Sequence, residues 1–185
     1  MPENTEIQQA ATIIKNGGVI SYPTESVFGL GCDPMSELAV NKILQLKQRN
    51  IEKGLIIVAA NLQQLNYYIE ITEQEKQKIL NEKNAVTWLV KKSKQAPHWV
   101  HGNHTKIAIR ISRHPTVVSL CNEINQPIIS TSANPAGLTP ATSKQQSMDY
   151  FSNGVDLYLD DSSGSSDSSG QPTQIKDIES DAIIR

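Results

Sequence analysis

The chain reads as a single α/β domain built on a mixed sheet, and three observations carry that reading. Apolar residues at helical spacing alternate with short β-branched runs bounded by Gly, Pro and Asn. The connections between them are often short, which places the elements in one compact layer system. At 185 residues the chain suits one domain, 1–185. A chain of that size buries roughly 70% of its unfolded surface, so its core needs neither disulfide nor metal. Not every link fits a right-handed βαβ unit, and parallel and antiparallel pairs are therefore expected in one sheet.

From the N-terminus, Thr5-Glu6-Ile7-Gln8 has capping-box spacing, and Ile7, Ala10, Ala11 and Ile14 make one apolar face. Gly17-Gly18 ends that helix. Val19 to Tyr22 is a short strand, stopped by Pro23. Gly29-Leu30-Gly31 reads as a tight turn or as a fragment of a glycine loop, too short to decide between them. A second helix starts near Ser36 and runs to about Lys47, with Ala39, Ile43 and Leu46 toward a core.

Gly54 to Ala60 is a buried strand, Asn61 caps a short helix through Leu62, Leu65 and Ile69, and Thr72-Glu73-Gln74-Glu75 opens another. Ala85 to Val90 is strand-like, and a loop follows. Lys106 to Ser112 alternates strictly: Ile107, Ile109 and Ile111 face one way, Ala108, Arg110 and Ser112 the other. Pro115 at N1 begins a helix through Ile124, and Pro127 to Ser130 is a strand feeding Ser130-Thr131-Ser132-Ala133-Asn134. Thr142 is expected to cap a helix carrying Met148 and Phe151, closed by Gly154. Val155 to Leu159 is a strand. Residues 161–170 form a Ser/Gly-rich stretch expected to be a mobile loop, and the tail beyond holds two short strand candidates.

Composition narrows the function classes. A hydrophobic content of 38% and a mean hydropathy of -0.36 describe an ordinary soluble protein. Neither a signal peptide nor an apolar run of membrane-spanning length is visible. Cys32 and Cys121 stand far apart without C-x-x-C spacing, which points to a reduced, cytoplasmic setting. A net charge of -2 and a pI of about 6.1 supply no global basic field for a long polyanion. Local clusters do exist: Lys42, Lys47, Arg49 and Lys53, then Lys106, Arg110 and Arg113. They describe either a bounded anion site or two solvated faces.

The common nucleotide and hydrolase signatures are missing: no G-x-x-x-x-G-K-[ST], no G-x-G-x-x-G and no G-x-S-x-G occurs. His98, His101 and His104 share a loop with Pro97 and Gly102, and they read as exposed loop histidines; no metal held by the protein is expected. Lys47-Gln48-Arg49 sets a lysine point charge beside an arginine fork, a combination suited to phosphate and a planar carboxylate. Both charges also suit the end of a helix, which is the plainer reading. Ser132 and Asn134 leave a strand end, where phosphate and ribose oxygens are often bound; a cap or turn is the alternative. Tyr22, Thr24 and Glu25 follow a strand in the same way, as site or as simple turn. The expectation is that the 21–49 stretch and the 130–134 cluster meet in one site for a nucleotide and a small acid.

Taken together, SYPTESVFGLGCD, LKQR, KGLIIVA, AIRISRHP and STSAN resemble the YrdC/TsaC family, the threonylcarbamoyl-AMP synthases, in the same order and continuously from about Gly18 to Pro140. The resemblance implies a twisted open sheet with flanking helices and a concave, positively charged cavity. It implies formation of L-threonylcarbamoyladenylate and pyrophosphate from L-threonine, bicarbonate and ATP, with Mg²⁺. That product would feed threonylcarbamoylation of the adenosine next to the anticodon in tRNA, through separate transfer proteins. The family's K-x-R and S-x-N residues fall on Lys47, Arg49, Ser132 and Asn134 as the catalytic set. Tyr22 and Thr24 match the threonine pocket, Arg110 an anion ligand, and Lys53 a position near the site. Asn84-Ala85-Val86-Thr87 departs from the family's P-G-P-V-T segment, and the chain resembles the short, single-domain form. Two rival functions are a non-catalytic RNA-binding module of the same fold, with weak tRNA or RNA binding, and a transferase using carbamoyl phosphate.

Overall fold

The computed structural model describes residues 4–161 and 173–184. The helices are α1 (Asn4–Lys15), α2 (Glu37–Lys47), α3 (Glu73–Asn81), α4 (His98–His101), α5 (Pro115–Ile124) and α6 (Lys144–Phe151). The strands are β1 (Ile20–Tyr22), β2 (Gly29–Gly31), β3 (Ile56–Ala59), β4 (Val86–Lys91), β5 (Lys106–Ile111), β6 (Ile128–Ser132), β7 (Leu157–Tyr158) and β8 (Gln174–Asp177). They form one open sheet in the order β7-β1-β2-β6-β3-β5-β4-β8. The pairs β1–β7, β3–β5 and β4–β8 are parallel and the others antiparallel, so the sheet is mixed as expected.

Each face of the sheet has its own core. On one, α1 brings Ile7, Ala10, Ala11 and Ile14, and α5 brings Val117, Leu120, Cys121 and Ile124, onto Ile20, Tyr22, Val58 and Ile128. On the other, Val40 and Ile43 of α2 and Val100 of α4 cover Leu30, Ile57, Ile107, Ile109 and Ile129. Paired residues share a face, so the register continues the first face outward along Leu89↔Ala108, Ala108↔Ile56 and Ile56↔Ser130. No described helix packs on that outer row, and it becomes the floor of a cavity.

Most local signals appear where the pattern put them. Thr72 makes the full capping box with Glu75, Pro115 opens α5, and Ser36 caps α2. Four local expectations need correction. Gly29–Gly31 is not a turn but a central strand, paired with β1 on one side and β6 on the other. The glycine is needed there for space: a Cβ on Gly31 would stand 2.6 Å from the Tyr22 ring and 2.7 Å from the Ile129 carbonyl oxygen. Thr5 lies inside α1, which already runs from Asn4. Ser143, not Thr142, caps α6 by accepting from the Gln146 amide, while Thr142 pairs with the Gln146 side chain. The loop after β4 holds the short helix α4, closed by Gly102 at φ +61°, where the Glu52 carbonyl oxygen leaves no room for a Cβ. The Ser/Gly-rich stretch lies, apart from Asp161, outside the described residues.

Candidate active site

The cavity over the open half of the sheet has a volume of about 480 Å³, a size suited to a nucleotide-scale ligand. Its floor combines the small residues Gly29, Ala108 and Ser130 with Ile56 and Leu89, and its walls carry Thr24, Ser26, Arg49, Lys53, Arg110 and Ser132. His101, His104 and Lys106 complete the charged or titratable lining, and no carboxylate is part of it among the described residues. Lys106 is held by Asp177 at 2.6 Å and Glu179 at 2.7 Å, and Arg110 lies 3.8 Å from Glu25; Arg49 and Lys53 are the other two cations of the lining.

The two stretches singled out from the sequence meet through the sheet itself, where Gly29 pairs with Ser132 and Leu30 with Thr131. Lys47, at the end of α2, points into the loop that leaves β6. Its Nζ donates to the carbonyl oxygens of Ser132 and Asn134, the latter at 2.8 Å, and to Asn134 Oδ1 at 3.3 Å. Ser132 Oγ donates to the same Oδ1 at 2.6 Å, and Asn134 Nδ2 ties the loop to Leu138 at 2.7 Å. Lys47 is 5% exposed, and burial, aided by the charge of Arg49, lowers its pKa to about 8. Lys47 and Asn134 therefore stand behind the cavity wall, while Ser132 and Arg49 are in it.

The separation of Lys47 from Arg49 has a local cause. Gln48 adopts the left-handed conformation at φ 51°, and the Arg49 amide closes back on the Leu44 carbonyl at 2.9 Å. That reversal swings Arg49 off the helix toward the cavity, where its Nη2 donates to Gly54 O at 2.9 Å. Lys53 ends the 3₁₀ turn Ile51–Lys53 on the cavity rim and is exposed.

Arg110 comes from the face of β5 opposite the isoleucines, as the alternation required, and is 5% exposed. Its Nη1 donates to Thr173 Oγ1 at 3.1 Å, and its Nη2 lies 3.8 Å from Glu25 Oε2. Burial works against ionisation of Glu25, but Arg110 and hydrogen bonds from Ser112 and the backbone outweigh it and hold the carboxyl below its ordinary range. Thr24 lines the cavity and donates to Val27 O at 2.7 Å, shaping the turn after β1. Tyr22 is fully buried beneath the floor: its ring lies against Gly29 and Gly31, and its hydroxyl donates to Ile129 O at 3.3 Å.

Sequence reasoning left parts of the site's geometry unseen. Glu25 reads as site or as simple turn, and nothing local shows that it meets Arg110. Thr173 lies in a tail whose placement depends on β8 pairing with β4. His104 is an exposed loop residue as expected, but His101 ends α4 and is half-buried, packing edge-on against His98 at 5.6 Å, and both line the cavity. No group of metal-ligating residues forms among the described residues.

Comparison with known proteins agrees with this architecture. The family model described as "Telomere recombination" (Sua5, YciO, YrdC) matches residues 12–185. The chain belongs to that family. A relative from Acinetobacter baylyi is 42% identical over 98% of this chain and 97% of its own length, and one from Pseudoalteromonas atlantica is 47% identical over 91% and 90%; both are named threonylcarbamoyl-AMP synthase. Among solved structures, a P. abyssi Sua5 variant superposes with a TM-score of 0.88 at 28% identity, covering 95% of this chain and 54% of that one. Sua5 complexed with L-threonine gives 0.82 at 27% identity, over 95% of this chain and 51% of that one. This chain thus spans about half of Sua5. E. coli YciO shares the fold, with a TM-score of 0.82 at 24% identity over 100% of this chain and 90% of its own. No described helix is long and apolar enough to cross a membrane.

Proposed function

We infer that the chain is a nucleotidyltransferase, a threonylcarbamoyl-AMP synthase that joins L-threonine, bicarbonate and ATP into L-threonylcarbamoyladenylate and releases pyrophosphate. The observation that carries the reading is a cavity wall bearing Arg49, Lys53 and Arg110 with no described carboxylate, in a chain whose full-length relatives bear that name. The reaction gathers several anions in one place. Two unit charges about 4 Å apart repel by roughly 4 kcal/mol at an effective dielectric near 20, so fixed cations are the first requirement.

Threonine's neutral amine adds to CO₂ with release of a proton, or to bicarbonate with release of water, giving a carbamate. A carbamate oxygen then attacks the α-phosphorus of ATP, and pyrophosphate leaves. Arg49, Lys53 and Arg110 bind and neutralise the anions, and Thr24, Ser26, Ser130 and Ser132 line the space with hydroxyls that fix substrate orientation. Lys47 and Asn134 serve the reaction by holding the Ser132 loop, and Tyr22 by supporting the floor. The described wall offers no carboxylate for a protein-held Mg²⁺, and the ion would enter as part of the substrate MgATP. The product, a mixed anhydride, is consumed by separate proteins that transfer the threonylcarbamoyl group to the adenosine next to the anticodon in tRNA, in the cytoplasm.

Pyrophosphate release by the purified chain is expected to require L-threonine and bicarbonate together, with the adenylate seen by mass spectrometry. Release at the same rate from ATP alone would sink the assignment. Turnover of carbamoyl phosphate in place of ATP and bicarbonate would point to the transferase chemistry instead.

A further inference from the structure

We propose that Glu25 is a positioning residue for the reaction inferred above, acting through Arg110: its carboxylate ties the Thr24–Ser26 turn to the end of β5 and holds the guanidinium in the cavity wall. The inference rests on that functional reading for its substrate, L-threonine, and on geometry for everything else.

Glu25 does not line the cavity, but both of its neighbours do. Its two oxygens have separate tasks. Oε1 accepts from Ser112 Oγ at 2.6 Å, from the Arg113 amide at 2.9 Å and from the His114 amide at 3.3 Å, all in the link between β5 and α5. Oε2 is buried without a hydrogen-bond partner among the described residues and faces Arg110 Nη2 at 3.8 Å. A carboxylate that served only the link would need one oxygen. The second is withdrawn from water and set against a guanidinium, an arrangement that is costly unless the two charges hold each other.

Arg110 is incompletely satisfied in turn. Nη1 reaches Thr173 Oγ1, while Nε is buried with no hydrogen-bond partner among the described residues. Without Glu25 a nearly buried cation would keep one hydroxyl contact and lose its only described carboxylate within ion-pair distance. Glu25 therefore fixes where the guanidinium stands, and the same carboxylate fixes the turn that presents Thr24 and Ser26. One residue sets the spacing between the hydroxyls on one wall and the cation on the next. Glutamine at this position separates the two tasks: the three donors of the β5–α5 link select its carbonyl oxygen, so its amide –NH₂ must face the guanidinium as donor against donor.

The experiment compares wild type, Glu25→Gln, Arg110→Gln and the double variant of the full chain. L-threonine affinity is measured by calorimetry and pyrophosphate release by a coupled assay. Glu25→Gln should fold, with a thermal midpoint near that of wild type, and should weaken L-threonine binding about tenfold, appearing in KM for threonine more than in kcat. In the Arg110→Gln background the same change should cost less than about twofold, because its route to the substrate is gone. Undiminished affinity in Glu25→Gln overturns the proposal, as does a full additive loss in the double variant or a collapse of the fold that makes Glu25 merely structural. A wild type that binds L-threonine but shows no threonine-dependent turnover overturns the synthase reading and leaves the positioning role to stand on the binding data; a wild type that does not bind L-threonine overturns both.

Discussion

Lys47 and Arg110 are each 5% exposed, yet the chain treats these two buried cations in opposite ways. Among the described residues Lys47 faces only neutral acceptors, two carbonyl oxygens and an amide oxygen, which engage all three of its donors. Arg110 faces a carboxylate and a hydroxyl, has a buried Nε–H without a hydrogen-bond partner among the described residues, and stands in the cavity wall. The Lys47 arrangement is that of a clamp on the Ser132 loop, while Arg110 presents its guanidinium at the cavity wall. The sequence places Lys47 in the catalytic set and Arg110 as an anion ligand; where their N–H groups go emerges only from the fold.

Substitution should separate the two knots, and activity should show the largest effect. Arg110→Ala or Arg49→Ala is expected to lower threonine-dependent pyrophosphate release by about 10²–10³, the usual loss when a fixed charge-stabilising donor is removed, with circular dichroism unchanged. A near-normal rate would place that arginine outside the site. Lys47→Met should act through stability. It strands the Ser132 and Asn134 carbonyl groups, each unmet buried acceptor costing about 1–3 kcal/mol, offset in part by removal of a buried charge. A net loss of about 3 kcal/mol would lower the thermal midpoint by roughly 6–12 °C, and activity should fall with it as the Ser132 loop relaxes. An unchanged midpoint with lost activity would make Lys47 a direct ligand and erase the contrast.

The smallest effect is in the acid response, where the Arg110 side contributes through His114. His114 is buried beside Glu25 and Arg110, and its Nδ1 accepts from the Thr116 amide as the cap of α5. Burial, opposed by Glu25 and Asp161, holds its pKa below the ordinary 6.5. The unfolded chain therefore takes up a proton near pH 6.5 that the folded chain refuses until lower pH, so stability present above that value is lost as the pH falls. His114→Asn retains a capping oxygen and cannot titrate. Its midpoint should fall less between pH 7 and pH 5 than that of the wild type, with His101, also held low by burial, accounting for part of what remains. Equal slopes would remove His114 from the acid response.

Much of this molecule is legible one segment at a time. The apolar face of α1, the capping box at Thr72, Pro115 at the start of α5 and the alternation that separates Arg110 from its isoleucine neighbours follow from steric and hydrogen-bonding rules acting over a few residues. The order of motifs likewise pointed to the family and to most of the residues around the cavity. What lay out of reach depends on chain segments distant in sequence. Gly29–Gly31 looks like a turn until the Tyr22 ring and β6 are packed against it. The bond from Lys47 to the Asn134 carbonyl spans 87 positions, and no local pattern announces it. Glu25 and Ser112, also 87 positions apart, become partners only when β5 is laid beside β3. Local sequence determines which donors, acceptors and apolar faces exist; only the folded sheet decides which of them are spent on one another and which are left for a substrate, because a polar group removed from water must find its partner wherever the tertiary fold has placed one.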